Sequence, residues 1–149
     1  MGYFSGPKIV TNGLVFAVDA ASARSYPGSG TTATDLAGTS TITLDNGVGF
    51  SNTNEGTFVF DGSDDEINTN LTTAYNDFSC VVIFKDNGSA AWGRLVDKSY
   101  SAGFFITAYQ ATVGAGYVGG GVIVPGSPHG QALIYDRTKY NYFVMTRSG

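Results

Sequence analysis

Hydrophobic and polar positions alternate along most of this chain, and the period is two. Between Gly13 and Asp19, Leu14, Phe16 and Val18 alternate with Val15, Ala17 and Asp19, which predicts an opening strand with one strongly apolar face. Phe58 and Phe60 lie two apart and so share one face of an extended segment. Gly62, Ser63, Asp64 and Asp65 then supply a tight polar turn before Ile67. That segment predicts strand, turn, strand, with Phe58, Phe60 and Ile67 in the core. Residues 78–85 are apolar on both faces, the mark of a central strand covered on both sides or lying at an interface. Further short strands are predicted at 41–44, 57–61, 66–68, 94–98, 103–109, 115–118, 122–124, 132–136 and 142–146, separated by Gly, Pro, Asn and Ser. Residues 22–38 are dense in turn formers and predict a long ordered loop.

Composition agrees with this pattern. The 149 residues include 21 glycines, with many Thr, Ser and Asn and few Leu, Lys and Glu, the reverse of what long helices need. An all-β antiparallel β-sandwich is expected, and the length suits a single domain over residues 1–149 with a substantial core. One cysteine, Cys80, sits in an apolar run and forms no internal disulfide; it is expected as a small buried side chain.

A net charge of −4 argues against a nucleic-acid partner, because phosphate binding draws on clustered Lys and Arg. The charge is uneven. Residues 1–77 hold nine acids and two bases (−7), and residues 78–149 hold three acids and six bases (+3), an asymmetry that helps subunits orient. No apolar run approaches the roughly 20 residues that span a bilayer, so no membrane insertion is expected. Leu14 to Val18 imitates a secretory signal faintly, but Asn12, Gly13 and Asp19 interrupt it. Gly6 stands where a myristoylation signal wants Ser or Thr.

Catalytic constellations are thin. The chain has two glutamates, Glu55 and Glu66, and lacks the Glu-x-Asp-x-x-Glu strand that sets a retaining glycosidase pair about 5 Å apart. His129, between Pro128 and Gly130, is expected in a surface loop, without the orienting acid and oxyanion hole that a nucleophilic serine needs. Gly114, Gly116 and Gly119 match G-x-G-x-x-G, but no helix follows to hold a pyrophosphate; a turn or bulge between strands is expected there. Asn70 and Asn87 head glycosylation sequons that this composition produces by chance.

Residues 9–15, Asp19-Ala20-Ala21, residues 25–32, Asp35-Leu36-Ala37-Gly38 and residues 58–67, followed by 78–85, 95–98, 103–106 and 142–149, resemble in order and spacing the concanavalin A-like, laminin-G-like jelly-roll domains of bacteriophage structural proteins, especially of marine phages. The resemblance covers nearly the whole chain and rests on the series, not on one motif. It implies a non-enzymatic virion component on the particle surface, either a capsid decoration or a tail-fibre or appendage module. The implied partners are other virion proteins or copies of itself, and a host-surface polysaccharide. In that family the segment resembling 144–149 is followed by further strands, so a jelly roll short of its last strands is expected, either as a fragment or as a rearranged small sandwich. An incomplete sheet offers an edge to a strand from a neighbouring subunit.

Two candidate sites follow. No resident cofactor is implied, but calcium is a candidate ligand of Asp61, Asp64 and Asp65, since hard cations take several oxygens and laminin-G-like relatives often bind it. The spacing is not that of an EF-hand. For a glycan, the candidates are the aromatics Trp92, Tyr100, Tyr109 and Tyr117, with Tyr26 and Tyr75 also near loops. Trp92 stands among small residues and has least to pack against locally. The competing class is a secreted carbohydrate-binding module, and a glycoside hydrolase remnant stands behind both.

Overall fold

The computed structural model of the chain describes residues 10–38, 40–73, 75–86, 92–98, 103–112, 115–124 and 127–148, several of the residues in its later strands by backbone alone. Among these residues the structure is all-β, with antiparallel sheets and a single 3-10 turn at Thr53–Glu55. The strands are β1 (Thr32–Thr34), β2 (Thr41–Asp45), β3 (Gly49–Ser51), β4 (Thr57–Val59), β5 (Glu66–Asn68), β6 (Phe78–Phe84), β7 (Trp92–Lys98), β8 (Gly103–Thr112), β9 (Ala115–Val124), β10 (Ser127–Asp136) and β11 (Asn141–Arg147). They divide between two compact units, Met1–Leu71 and Thr72–Gly149.

The first unit holds a three-stranded sheet, β1-β2-β5, and the β3-β4 pair. Its core is Tyr26, Ala33, Ile42 and Leu44, with Phe16, Val18, Val48, Phe50, Phe58 and Ile67 packed around them. Tyr26 is an anchor of this core and is buried. Its ring meets Phe50 at 5.3 Å and Phe58 at 5.1 Å, and its hydroxyl donates to the Gly30 carbonyl at 2.9 Å. The predicted opening strand at 13–19 does not form. The Ala17 N–H donates to Asp35 Oδ1 at 2.9 Å and the Ala17 carbonyl accepts from Leu36 N at 2.8 Å, so this segment is tied to a loop and not to a ladder. Asp35 is buried and its Oδ1 also accepts from Ala37 N, which satisfies a carboxylate that water does not reach. Ser25, also buried, links Asp19 N to the Thr34 carbonyl.

One further expectation changes here. The 57–67 segment is strand, turn, strand as predicted, with β4 paired to β3 and β5 to β2. Phe58 faces the core as predicted, whereas Phe60 lies beyond the end of β4 and is exposed. The reason is that the acidic turn belongs to a crossover between sheets, and the two-residue period stops with the strand.

The second unit is a small sandwich. A four-stranded sheet, β10-β9-β8-β7, packs against the β6-β11 pair. Ile106, Val118, Tyr135 and Phe143 are buried between them, with Cys80, Val82, Phe84, Leu95, Val96, Ala108 and Met145 alongside. At one end of this core Asp86 accepts from Tyr135 Oη at 2.8 Å and from Arg137 Nε at 2.6 Å and Nη2 at 3.2 Å. The two side chains of this ion pair are 11% and 14% exposed, and its bidentate geometry fixes the Asp86 carboxylate against both Tyr135 and Arg137.

The glycine-rich stretch, expected to break the chain into two strands, runs straight through β9. Gly119, Gly120 and Gly121 are each paired on both sides. Gly120 is required by the opposite layer: a Cβ there would lie 2.6 Å from Met145 Sδ and 3.2 Å from Phe143 Cε1. Strand β6, expected as a central strand, has β11 as its one hydrogen-bonded neighbour among the described residues.

Candidate functional site

The four-stranded sheet has one face turned to the core and one turned away from it. Alternation assigns Ile106, Ala108, Val118 and Tyr135 to the core face. Their neighbours along each strand then define the outer face. There Trp92 pairs with Tyr109, Tyr109 with Tyr117, and Tyr117 with Ile134. Directly opposed residues in an antiparallel ladder lie on the same face, so three of the four predicted glycan residues occupy one transverse row across β7, β8 and β9. Neighbouring strands lie about 4.8 Å apart, so the three positions span roughly 10 Å. Tyr100, the fourth, lies outside the described residues.

Two further rows of positions lie beside this one. The next positions along the strands are Arg94, Thr107, Gly119 and Ala132, and after them Asp97, Phe105, Gly121 and Gly130. Gly116 and Gly120, on the core face, are explained by what a Cβ would strike, namely the Tyr135 ring and Met145. Gly119, Gly121 and Gly130 stand at register positions of the other face.

A bulge completes the arrangement. The register shifts between Arg94 and Val96, which inserts Leu95 and reverses the parity of β7. Leu95 and Val96 both pack on the core as a result, and Arg94 and Asp97 come to the same outer face. They form an ion pair at 3.3 Å, about half exposed, with the Arg94 guanidinium 4.7 Å from the centre of the Phe105 ring. The outer face thus carries guanidinium donors and a carboxylate acceptor within reach of solvent. No sequence signal for this bulge was recognised.

The other predicted site assembles differently. Asp61, Asp64 and Asp65 bring one carboxylate oxygen each within 4.8 Å of the others. Two of the three are tied into the turn itself: Asp65 Oδ2 accepts from Asp61 N at 2.8 Å, and Asp61 Oδ1 accepts from Ser63 N at 2.7 Å. Gly62 takes φ +82°, as the predicted tight turn requires. Three carboxylates supply three to six of the six to eight oxygens that calcium takes, according to whether each binds through one oxygen or two. Hydrogen bonds within the turn already hold Asp61 and Asp65 close together.

His129 is placed in β10, paired with Val122, and not in a loop. Cys80 faces the core of the second unit, and burial pushes its thiol pKa upward, away from the thiolate that reacts. No family model matches the sequence, and no curated protein and no solved structure matches it.

Proposed function

We propose that the chain is a non-enzymatic component of a phage particle surface, a jelly-roll module of concanavalin A-like type in a capsid decoration or a tail fibre or appendage, which attaches to host-surface polysaccharide. The resemblance of the strand series to phage structural domains supports the virion role. The observation that carries the attachment role is the register that pairs Trp92 with Tyr109 and Tyr109 with Tyr117 in one row across three strands. The C–H face of a sugar ring is weakly positive and an aromatic face is negative, so flat aromatic rows suit pyranose chains.

Glycan-array binding by the parent chain and by Trp92→Ala tests this. The variant should lose roughly two- to tenfold in affinity, the scale of one lost aromatic contact. A parent that binds no glycan refutes the attachment role. The same row favours a second reading, a secreted carbohydrate-binding module. Finding the chain in purified particles, at a copy number set by virion symmetry, separates the two.

A further inference from the structure

Of the residues in the three outer-face rows of the four-stranded sheet, Arg94 and Asp97 alone are charged, and they stand together. The bulge at Leu95 puts them there, because unbroken alternation along β7 would turn Asp97 to the core. Arg94 Nη1 lies 3.3 Å from Asp97 Oδ2, the two side chains are 50% and 45% exposed, and the guanidinium sits 4.7 Å from the centre of the Phe105 ring. A pair this exposed adds little to stability. The ring and the carboxylate do restrict where the guanidinium points, so its exposed N–H donors are set before a ligand arrives.

We propose that Arg94 and Asp97 are the hydroxyl-reading end of the glycan row and make it selective for neutral polysaccharide over acidic polysaccharide. This rests on the attachment reading and names the class of sugar that it takes. A guanidinium only donates and a carboxylate only accepts, whereas a sugar hydroxyl does both, so neighbouring hydroxyls satisfy the two groups together. An acidic sugar brings a carboxylate that must displace Asp97 from Arg94 or lie against it at like charge. No second cation stands in these rows to offset that repulsion.

Spacing sets the length of the ligand. Two residues along a strand cover roughly 7 Å, so the row at Trp92 and the row at Phe105 lie about 13 Å apart. Only a chain of sugars spans that distance. One sugar stacks at the aromatic row, and the next along β7 and β8 presents its hydroxyls to the pair, with Thr107 directly opposite Arg94 between them.

An array of matched oligosaccharides tests this, with gluco- and manno-oligosaccharides beside the corresponding glucuronates and mannuronates. The parent chain should bind the neutral members and not their acidic counterparts. Arg94→Met keeps the apolar stem over Phe105 and removes the donors, and should lose about tenfold on the neutral members. Asp97→Asn leaves Arg94 unbalanced and should gain the acidic ones. Both positions are about half exposed, so thermal melts that match the parent show that the variants fold. A parent that prefers uronates overturns the inference while attachment stands, as does an Arg94→Met chain that binds neutral glycans like the parent or an Asp97→Asn chain that still rejects uronates. A parent that binds neither class removes attachment itself, and the inference with it.

Discussion

Replacing Gly116 by alanine tests the packing of the second unit at its tightest point. Gly116 in β9 is paired with Tyr135 in β10, and a Cβ at Gly116 would fall 2.6 Å from both Tyr135 Cε1 and Oη. The ring has nowhere to retreat. It is 7% exposed, its edge meets Phe84 at 5.1 Å, and its hydroxyl is held by Asp86 at 2.8 Å. Overpacking of this sort costs about 1–3 kcal/mol, and loosening a hydrogen bond to an ionised acceptor costs about 1.5–3 kcal/mol. Alanine returns about 0.4–1 kcal/mol by narrowing the unfolded ensemble. The net expectation is a destabilisation of roughly 2–5 kcal/mol, read as a lowered midpoint in urea unfolding followed by circular dichroism. In a Tyr135→Val background the clash is gone and the same substitution should cost almost nothing, so the pair is strongly non-additive. A Gly116→Ala chain within about 0.5 kcal/mol of the parent would refute the reasoning, as would a penalty that persists after Tyr135→Val.

Two other predictions concern titration and metal. Burial, and then the hydrogen bond to Asp86, pushes the Tyr135 phenol up to about 12 from 10.0. A folded value above the unfolded one favours the neutral phenol, so its contribution is full below pH 10 and is lost as pH rises towards 12. Tyr135→Phe should remove that part of the alkaline decline, and an identical decline in the variant would contradict the assignment. Millimolar calcium is expected to leave the melting temperature unchanged, since the Asp61, Asp64 and Asp65 turn is held by its own hydrogen bonds. A calcium-dependent rise abolished by Asp64→Asn would restore the cluster as a cation site.

Much of the strand pattern was legible in the sequence. Residues 66–68 form a strand at the predicted bounds, the predicted 78–85 strand runs one residue past the end of β6, and the predicted 142–146 strand falls one residue short of β11 at each end. In β6 burial alternates along the strand although the sequence is apolar on both faces, so the apolar run marks the strand and not its covered side. Segment 13–19 alternates just as well yet forms no strand, because its backbone groups find Asp35 and Leu36 in place of a ladder. Periodicity records which side of a segment is buried and says nothing about what its N–H and C=O groups meet. The short strands β1 and β3 were missed for the same reason, having three residues each and turn formers around them. The candidate aromatics were legible as types, but not as a set.

Taken alone, the sequence determined the class of structure: an all-β chain with its apolar side chains alternating, one thiol placed in the core, and an acidic turn around Gly62. Those properties are local, because side-chain direction in a strand and φ at a turn depend on near neighbours. Tertiary structure decided the rest. Which strand lies beside which set Trp92, Tyr109 and Tyr117 in one row, carried Gly119, Gly120 and Gly121 through a single strand, and turned Val81, Ile83, Tyr142 and Val144 outward. Register is a long-range quantity: a one-residue slip sends a side chain to the opposite face, and only the packed layers hold it in place.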